Sequence, residues 1–250
     1  MTLKRFSFTN LRTIGGRWRA RDRLGRAVLT CPFLLRSMPA QDEMSPLVGV
    51  GVTLRQLRRS DALSLFTLLT DDEVVKFISP PPSSPEGYER FIEWAVSQQE
   101  TGRYICFAVV PDALTDAVGL FQLRRLPGES NLAEWGFILG HAFWGTGIFP
   151  EAARLILEFT FEVMGVNRLE ARASIPNARG QGALAKIGAC HEVRMRESFR
   201  RHGVWYDQVM WSILADEWRA SRRERTSPDS RDSEPMPHQP KREERHGAVM

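Results

Sequence analysis

The stretch Ala133-Glu-Trp-Gly-Phe-Ile-Leu-Gly140 is followed two residues later by Phe143-Trp-Gly-Thr-Gly-Ile-Phe-Pro-Glu-Ala-Ala-Arg-Leu155. This succession predicts an apolar strand, a short glycine loop and an amphipathic helix. Ala152, Leu155, Ile156, Phe159 and Val163 recur at helical spacing on one face. Pro150 stands where a first helical residue is expected, with Glu151 in the first turn. A strand that feeds a glycine loop and then a helix makes an anion site. The free backbone N–H groups and the positive end of the helix dipole converge there. Each such contact stabilises a negative charge by roughly 0.3–1 kcal/mol near the surface. The loop therefore predicts a ligand that carries phosphate.

A P-loop would end in Gly-Lys-Ser/Thr, but Gly147 is followed by Ile148 and Phe149. A dinucleotide fingerprint needs a third glycine or alanine, and position 150 is proline. An acyl-coenzyme A loop fits better. The segment resembles the RimJ/RimL-like branch of the GNAT acetyltransferase superfamily. That branch reads Ala-Glu-Ile-Gly-Tyr, then Trp-Gly-Lys-Gly-Tyr-Ala-Thr-Glu-Ala. Here the corresponding residues are Ala-Glu-Trp-Gly-Phe, then Trp-Gly-Thr-Gly-Ile-Phe-Pro-Glu-Ala. Three further blocks follow in the family's order. Gly165-Val-Asn-Arg-Leu-Glu-Ala-Arg-Ala173 alternates like a strand. Asn177-Ala-Arg-Gly-Gln-Gly-Ala-Leu-Ala-Lys-Ile-Gly-Ala189 is similar to the family's Asn-x-x-Ser-x-x-Val-Leu-x-Lys-Leu-Gly-Phe. Phe199-Arg-Arg-His-Gly-Val-Trp-Tyr-Asp207 resembles its closing hairpin, and Ile213-Leu-Ala-Asp-Glu-Trp218 its end.

The pattern alone says mixed α/β. The resemblance implies the GNAT fold, a mixed central sheet of about seven strands with flanking helices over residues 48–218. It implies an acetyl-CoA-dependent N-acetyltransferase. The pantetheine arm would lie along the strand edge at Phe137, Ile138 and Leu139, and the pyrophosphate against the N–H groups of Gly145, Thr146, Gly147 and Ile148. Asn177 resembles the family's coenzyme-contacting asparagine, or acts as a helix N-cap, or both. Glu134, the charged residue of an apolar strand, aligns with the family's strand glutamate and is the candidate general base. The competing reading is a solvent-facing or arginine-paired residue. Neither side-chain acid that usually protonates the leaving thiolate is present: Leu184 replaces the tyrosine and Gly180 the serine. His141 is titratable and nearby, and reads as a loop residue.

An α-amino group suits such a site better than lysine. With a pKa of about 7.7–8.0, roughly a tenth to a sixth of it is already neutral near pH 7. The acceptor is thus expected to be a protein or peptide N-terminus, a ribosomal protein's among them. The alternatives are a small amine such as a polyamine or antibiotic, and a non-catalytic acyl-CoA binder. The acceptor slot is expected between residues 77–88, proline-stiffened, and the hairpin residues Arg200, Arg201, Trp205 and Tyr206.

The rest of the chain narrows the setting. Three cysteines, Cys31, Cys106 and Cys190, supply no disulfide framework, which predicts a reducing cytoplasm. Cys106 and Cys190 read as small core fillers. No apolar run approaches the ~18 residues of a membrane span, no metal cluster is expected, and a net charge of +4 does not call for nucleic acid. Residues 1–43 hold nine basic residues against three acids. They read as a poorly ordered extension, a transit peptide or a segment upstream of the true start. Residues 221–250, rich in Arg, Glu, Ser and Pro, are expected to be a disordered tail. Within the core, Ser60-Asp61 and Asp71-Asp72 are expected to cap short helices, and Pro80-Pro-Pro-Ser-Ser-Pro85 to force a loop.

Overall fold

A computed structural model describes residues 44–226 apart from 103, 129 and 130. The readings for residues 1–43 and for the tail beyond 226 lie outside the described residues. Eight strands form one sheet: β1 (Leu47–Val48), β2 (Val52–Gln56), β3 (Tyr104–Pro111), β4 (Gly119–Arg125), β5 (Leu132–Leu139), β6 (Arg168–Ser174), β7 (Cys190–Arg201) and β8 (Val204–Leu214). Their order is β1-β2-β3-β4-β5-β6-β8-β7. The strand beyond the expected seven is β1, two residues paired to β2. Every neighbouring pair is antiparallel except β5 and β6.

That exception positions the site. β5 pairs with β4 from Ala133 to Leu139, but with β6 only from Leu132 to Glu134. Beyond Glu134 the two parallel strands part, and the β5 edge is left open on one side.

Among the described residues six α-helices flank the sheet: α1 (Ala62–Leu69), α2 (Asp72–Val75), α3 (Pro85–Gln99), α4 (Ile148–Glu158), α5 (Ala178–Lys186) and α6 (Ala215–Thr226). Residues of β3 are buried on both faces, and side chains alternate along it. Cys106 and Ala108 join Leu65, Tyr88 and Ile92 of α1 and α3. Phe107 and Val109 join Ile156 of α4, Phe161, Leu169 and Trp218 on the other face. Ser84 caps α3 by accepting from the Gly87 N–H, directly after the proline run, and Asp71 caps α2 through the Glu73 N–H.

Several local expectations are corrected. Asp61 does not cap α1. Its carboxylate is fully buried and takes Arg55 on both oxygens, at 2.7 and 2.8 Å, together with the N–H groups of Arg58 and Ala117. Pro150 is the third residue of α4 rather than the first, because Gly147 already acts as N-cap. A proline still fits there, since first-turn N–H groups have no intrahelical acceptor. Val163 is half exposed. A π turn over Phe159–Val163, closed by the Met164 N–H donating to the Phe159 carbonyl, shifts the helical phase by one residue and buries Phe161 instead. Cys190 is exposed, whereas Cys106 is buried. The last helix runs to Thr226, past the expected start of the tail.

Candidate active site

Glu134 is the last β5 residue that pairs with β6, so it stands where the strands begin to part. Its side chain is buried. Oε2 accepts from the Arg124 guanidinium, and Oε1 lies 3.8 Å from Arg172 Nε. The arginine-paired reading of this residue is therefore realised in the geometry. Oε1 accepts no hydrogen bond among the described residues. Glu134, Phe137, Arg172, Asn177, Phe199 and Gln208 line one cleft, with Phe77 and Ile78 from the segment after α2.

The open edge follows from hydrogen-bond alternation. The Gly140 N–H donates to the Val118 carbonyl at 2.9 Å. Residues two and four positions earlier then also turn their backbone groups toward β4. Ile138 belongs to that set, opposite Leu120. Phe137 and Leu139 alternate with it and present their backbone groups to the gap. The Leu139 carbonyl is already used, by the Trp144 indole N–H at 2.8 Å. The Trp144 ring in turn meets His141, 4.5 Å between centroids, and the Arg179 guanidinium at 4.3 Å.

The glycine loop lies at the other end of the same unit. Gly145 and Gly147 hold φ of 77° and 88°, a region costly for other residues. A Cβ at either would meet nothing within 4 Å, so the space in front of α4 is open. Val50, Thr146, Gly147, Ile148 and Glu151 border a shallow depression there. The Thr146 hydroxyl donates to the Phe143 carbonyl at 2.8 Å and tightens the turn. Glu151, on the rim of that depression, accepts from the Val50 N–H and pairs with Arg154. Those contacts hold its carboxyl below the ordinary range, the Arg154 hydrogen bond most of all.

Asn177 caps α5, its Oδ1 accepting from the Gly180 N–H at 2.9 Å. A Cβ at position 180 would come within 2.5 Å of Asn177 Nδ2. The glycine and this pose of the asparagine therefore go together. Leu184 is buried beneath the cleft and offers no proton. Of the expected acceptor slot, Phe77 and Ile78 meet Phe199 of the β7–β8 hairpin in the cleft, while the other hairpin residues divide between two faces. Phe199 and Arg201 share one face of the β7–β8 hairpin, while Arg200 stacks on Trp205 at 5.5 Å on the other. Trp205 is half exposed.

Three features escaped the sequence reading: Arg124 and Arg172 flanking Glu134, and the indole clamp on Leu139. Arg124 was within reach, since a hairpin closing near residues 127–131 places 124 opposite 134. Arg172 and Trp144 carry no such signal.

The residues present fit a thioester-and-phosphate ligand: an open strand edge, then an uncluttered glycine turn at a helix head. Among the described residues no cluster of His, Cys, Asp and Glu could hold a metal ion, and no helix is long and apolar enough to cross a membrane. A family model described as an acetyltransferase (GNAT) domain matches residues 52–189. "Uncharacterized N-acetyltransferase p20" of Bacillus licheniformis is 25% identical, over 70% of this chain and 99% of that one. "Putative ribosomal N-acetyltransferase YdaF" of Bacillus subtilis is 25% identical, over 68% of this chain and 95% of that one. Among solved structures, a GCN5-related N-acetyltransferase from Brucella melitensis superposes with a TM-score of 0.64 at 22% identity, covering 78% of this chain and 90% of that chain.

Proposed function

The chain belongs to the GNAT acetyltransferase family, and from that premise we propose that it acetylates the α-amine of protein or peptide N-termini, in the manner of the RimJ/RimL-like branch. It is an N-acetyltransferase, and GNAT enzymes use acetyl-CoA as co-substrate. Bound here, that donor would supply an activated acetyl group as a thioester. Phe137 and Leu139 would hold its arm through backbone groups, as an added strand is held. Gly145, Thr146, Gly147 and Ile148 would take its phosphates on N–H groups. Asn177 would stand beside the arm while capping α5.

The observation that carries the acceptor reading is the buried Glu134 carboxylate at the fork of β5 and β6, with arginines on either side and no hydrogen bond on its Oε1. An ammonium or amine N–H can donate to that oxygen, and Glu134 is the candidate to receive its proton. A polycation would meet Arg124 and Arg172 as like charges. A short neutral or acidic peptide would not. The amine's own pKa lightens the task, since roughly a tenth to a sixth of an α-amine is neutral near pH 7. The name of the Bacillus subtilis relative supports a ribosomal protein as acceptor. Cysteine usage supports a cytoplasmic setting. With Leu184 and Gly180 at the two positions where a side-chain acid would stand, solvent is left to protonate the thiolate.

Release of free thiol from acetyl-CoA tests this. The expected result is turnover with N-terminal peptides above that with spermidine or an aminoglycoside. More efficient acetylation of either polycation than of every peptide tried would overturn the acceptor reading. Coenzyme binding with no thiol release from any amine would make the chain a binder.

A further inference from the structure

Arg55 and Arg201 are equally buried, each 8% exposed. Arg55 has a bidentate carboxylate, Asp61, and the Thr115 carbonyl. The Arg201 side chain has no hydrogen bond or ion pair among the described residues, and its Nε is buried without a partner. A guanidinium cannot shed its charge in ordinary water. Burying it without an anion is costly, and that cost is tolerated where a partner arrives from outside. Burial lowers its pKa, the direction expected of a cation that has lost water and gained nothing.

Its position says what that partner meets. Register pairs Arg201 with Val204 and Phe199 with Tyr206 at the end of the hairpin. Side chains two apart on a strand share a face, so Arg201 lies on the face that brings Phe199 to the cleft, one step beyond the residues that line it. Gln208 lies on that face of β8 and also lines the cleft. Opposite Gln208 on β6 is Ser174, 1% exposed, whose hydroxyl likewise has no partner. Arg172, two residues before it, has an Nε without a hydrogen bond. The one carboxylate in the cleft, Glu134, is already held by Arg124. This face thus collects cations and unfilled donors beyond what its own acids satisfy.

We propose that Arg201 anchors a carboxylate of the acceptor, so that the enzyme selects amines carrying an acidic group close by. The proposal rests on the peptide reading above and narrows it. The amine goes to Glu134 Oε1, and the carboxylate to the guanidinium fork, whose planar donors match a carboxylate in pairs. The carboxylate comes either from an acidic side chain near a peptide N-terminus or from the α-carboxylate of a free amino acid.

The test compares peptide amides that begin Ala-Glu, Ala-Gln and Ala-Lys, together with free alanine and glutamate. In the wild type, kcat/KM for Ala-Glu should exceed that for Ala-Gln by about 10- to 100-fold, the range of a charge-assisted pair. Arg201→Met should erase that preference, bringing the Ala-Glu to Ala-Gln ratio of kcat/KM to about one. Arg201→Lys should restore part of it. The melting temperature of Arg201→Met without acceptor should not fall, since no native partner is lost. A loss of stability with intact Glu-over-Gln preference would show a structural arginine and overturn the proposal. Equal turnover of Ala-Glu and Ala-Gln by the wild type, with no Arg201-dependent turnover of free amino acids, would overturn it while the peptide reading stands. Free amino acids turned over in an Arg201-dependent way, with no Glu-over-Gln preference, would assign the carboxylate to the backbone and support the shared chemistry. Spermidine accepted and every peptide and amino acid refused would overturn both readings.

Discussion

Arg124 stands directly across the β4–β5 ladder from Glu134 and donates to its Oε2. The pairing anchors one oxygen of the carboxylate. It also ties the candidate base to a strand that otherwise takes no part in the site. Arg124 is about a third exposed, whereas Glu134 is buried. Removing the arginine would leave a buried carboxylate with only Arg172 at 3.8 Å. With partial solvation of Arg124 allowed for, Arg124→Met should destabilise the fold by about 1–2 kcal/mol. Urea denaturation measures this, and an unchanged midpoint would mean that the pair contributes nothing.

Glu134→Gln keeps the shape of the side chain and leaves Arg124 an acceptor oxygen. If Oε1 takes the amine's proton, turnover should fall by ~10²–10⁴-fold with acetyl-CoA affinity nearly unchanged. The deficit should shrink as pH rises, because more of the amine is then neutral without help. A deficit that stays flat across pH would make Glu134 an orienting residue between its arginines.

Gly147 combines a left-handed backbone with open space at its Cβ. Gly147→Val should therefore cost about 1–2 kcal/mol of stability from backbone strain alone. A larger effect is expected on the donor, since the side chain would enter the space in front of the N–H groups of α4. Calorimetry should show acetyl-CoA binding weakened at least about tenfold, the equivalent of one lost contact set of 1.4 kcal/mol. Unchanged affinity in a folded variant would remove the loop from the coenzyme site.

Asp61 is a fully buried polar junction. It joins Arg55 of β2 to the N–H groups of Arg58 and Ala117. Asp61→Ala strands a buried guanidinium and two N–H groups, so a loss of about 3–5 kcal/mol is expected. Asp61→Asn keeps an acceptor oxygen and should lose less. Equal stability of all three proteins by thermal melting would contradict the buried network.

What could be read from the residues depended on range. The strand–loop–helix unit at 133–155 was legible because its apolar spacing and glycines act within a few residues. The pairing of Arg124 with Glu134 required the hairpin register. That Arg201 lacks a carboxylate partner is a tertiary fact that no local pattern carries. Asp61 illustrates the same limit: a helix-cap position locally, it is claimed by Arg55, because a bidentate ion pair outweighs a single capping hydrogen bond. Val163 was misplaced by one π turn, which no spacing rule anticipates.

Arg168 holds Glu192 by two hydrogen bonds of 2.5 and 2.7 Å, and the Ser212 hydroxyl donates to the same carboxylate. These contacts join edge strand β7 to β6 across β8. The Arg168 hydrogen bond, then the Ser212 one, carries the Glu192 carboxyl from its ordinary 4.5 down to about 2. A carboxyl depressed on folding stabilises the native state above its unfolded pKa. That contribution is lost as pH falls from about 4.5 toward 2. Glu192 is about a third exposed, so solvent screens part of the effect. Glu192→Gln should consequently be less stable than the wild type at neutral pH, and the two should converge between pH 4.5 and 2. Chemical denaturation at steps across that window reads the difference directly. A gap that persists unchanged at the acid end would mean that the side chain contributes by packing, not charge.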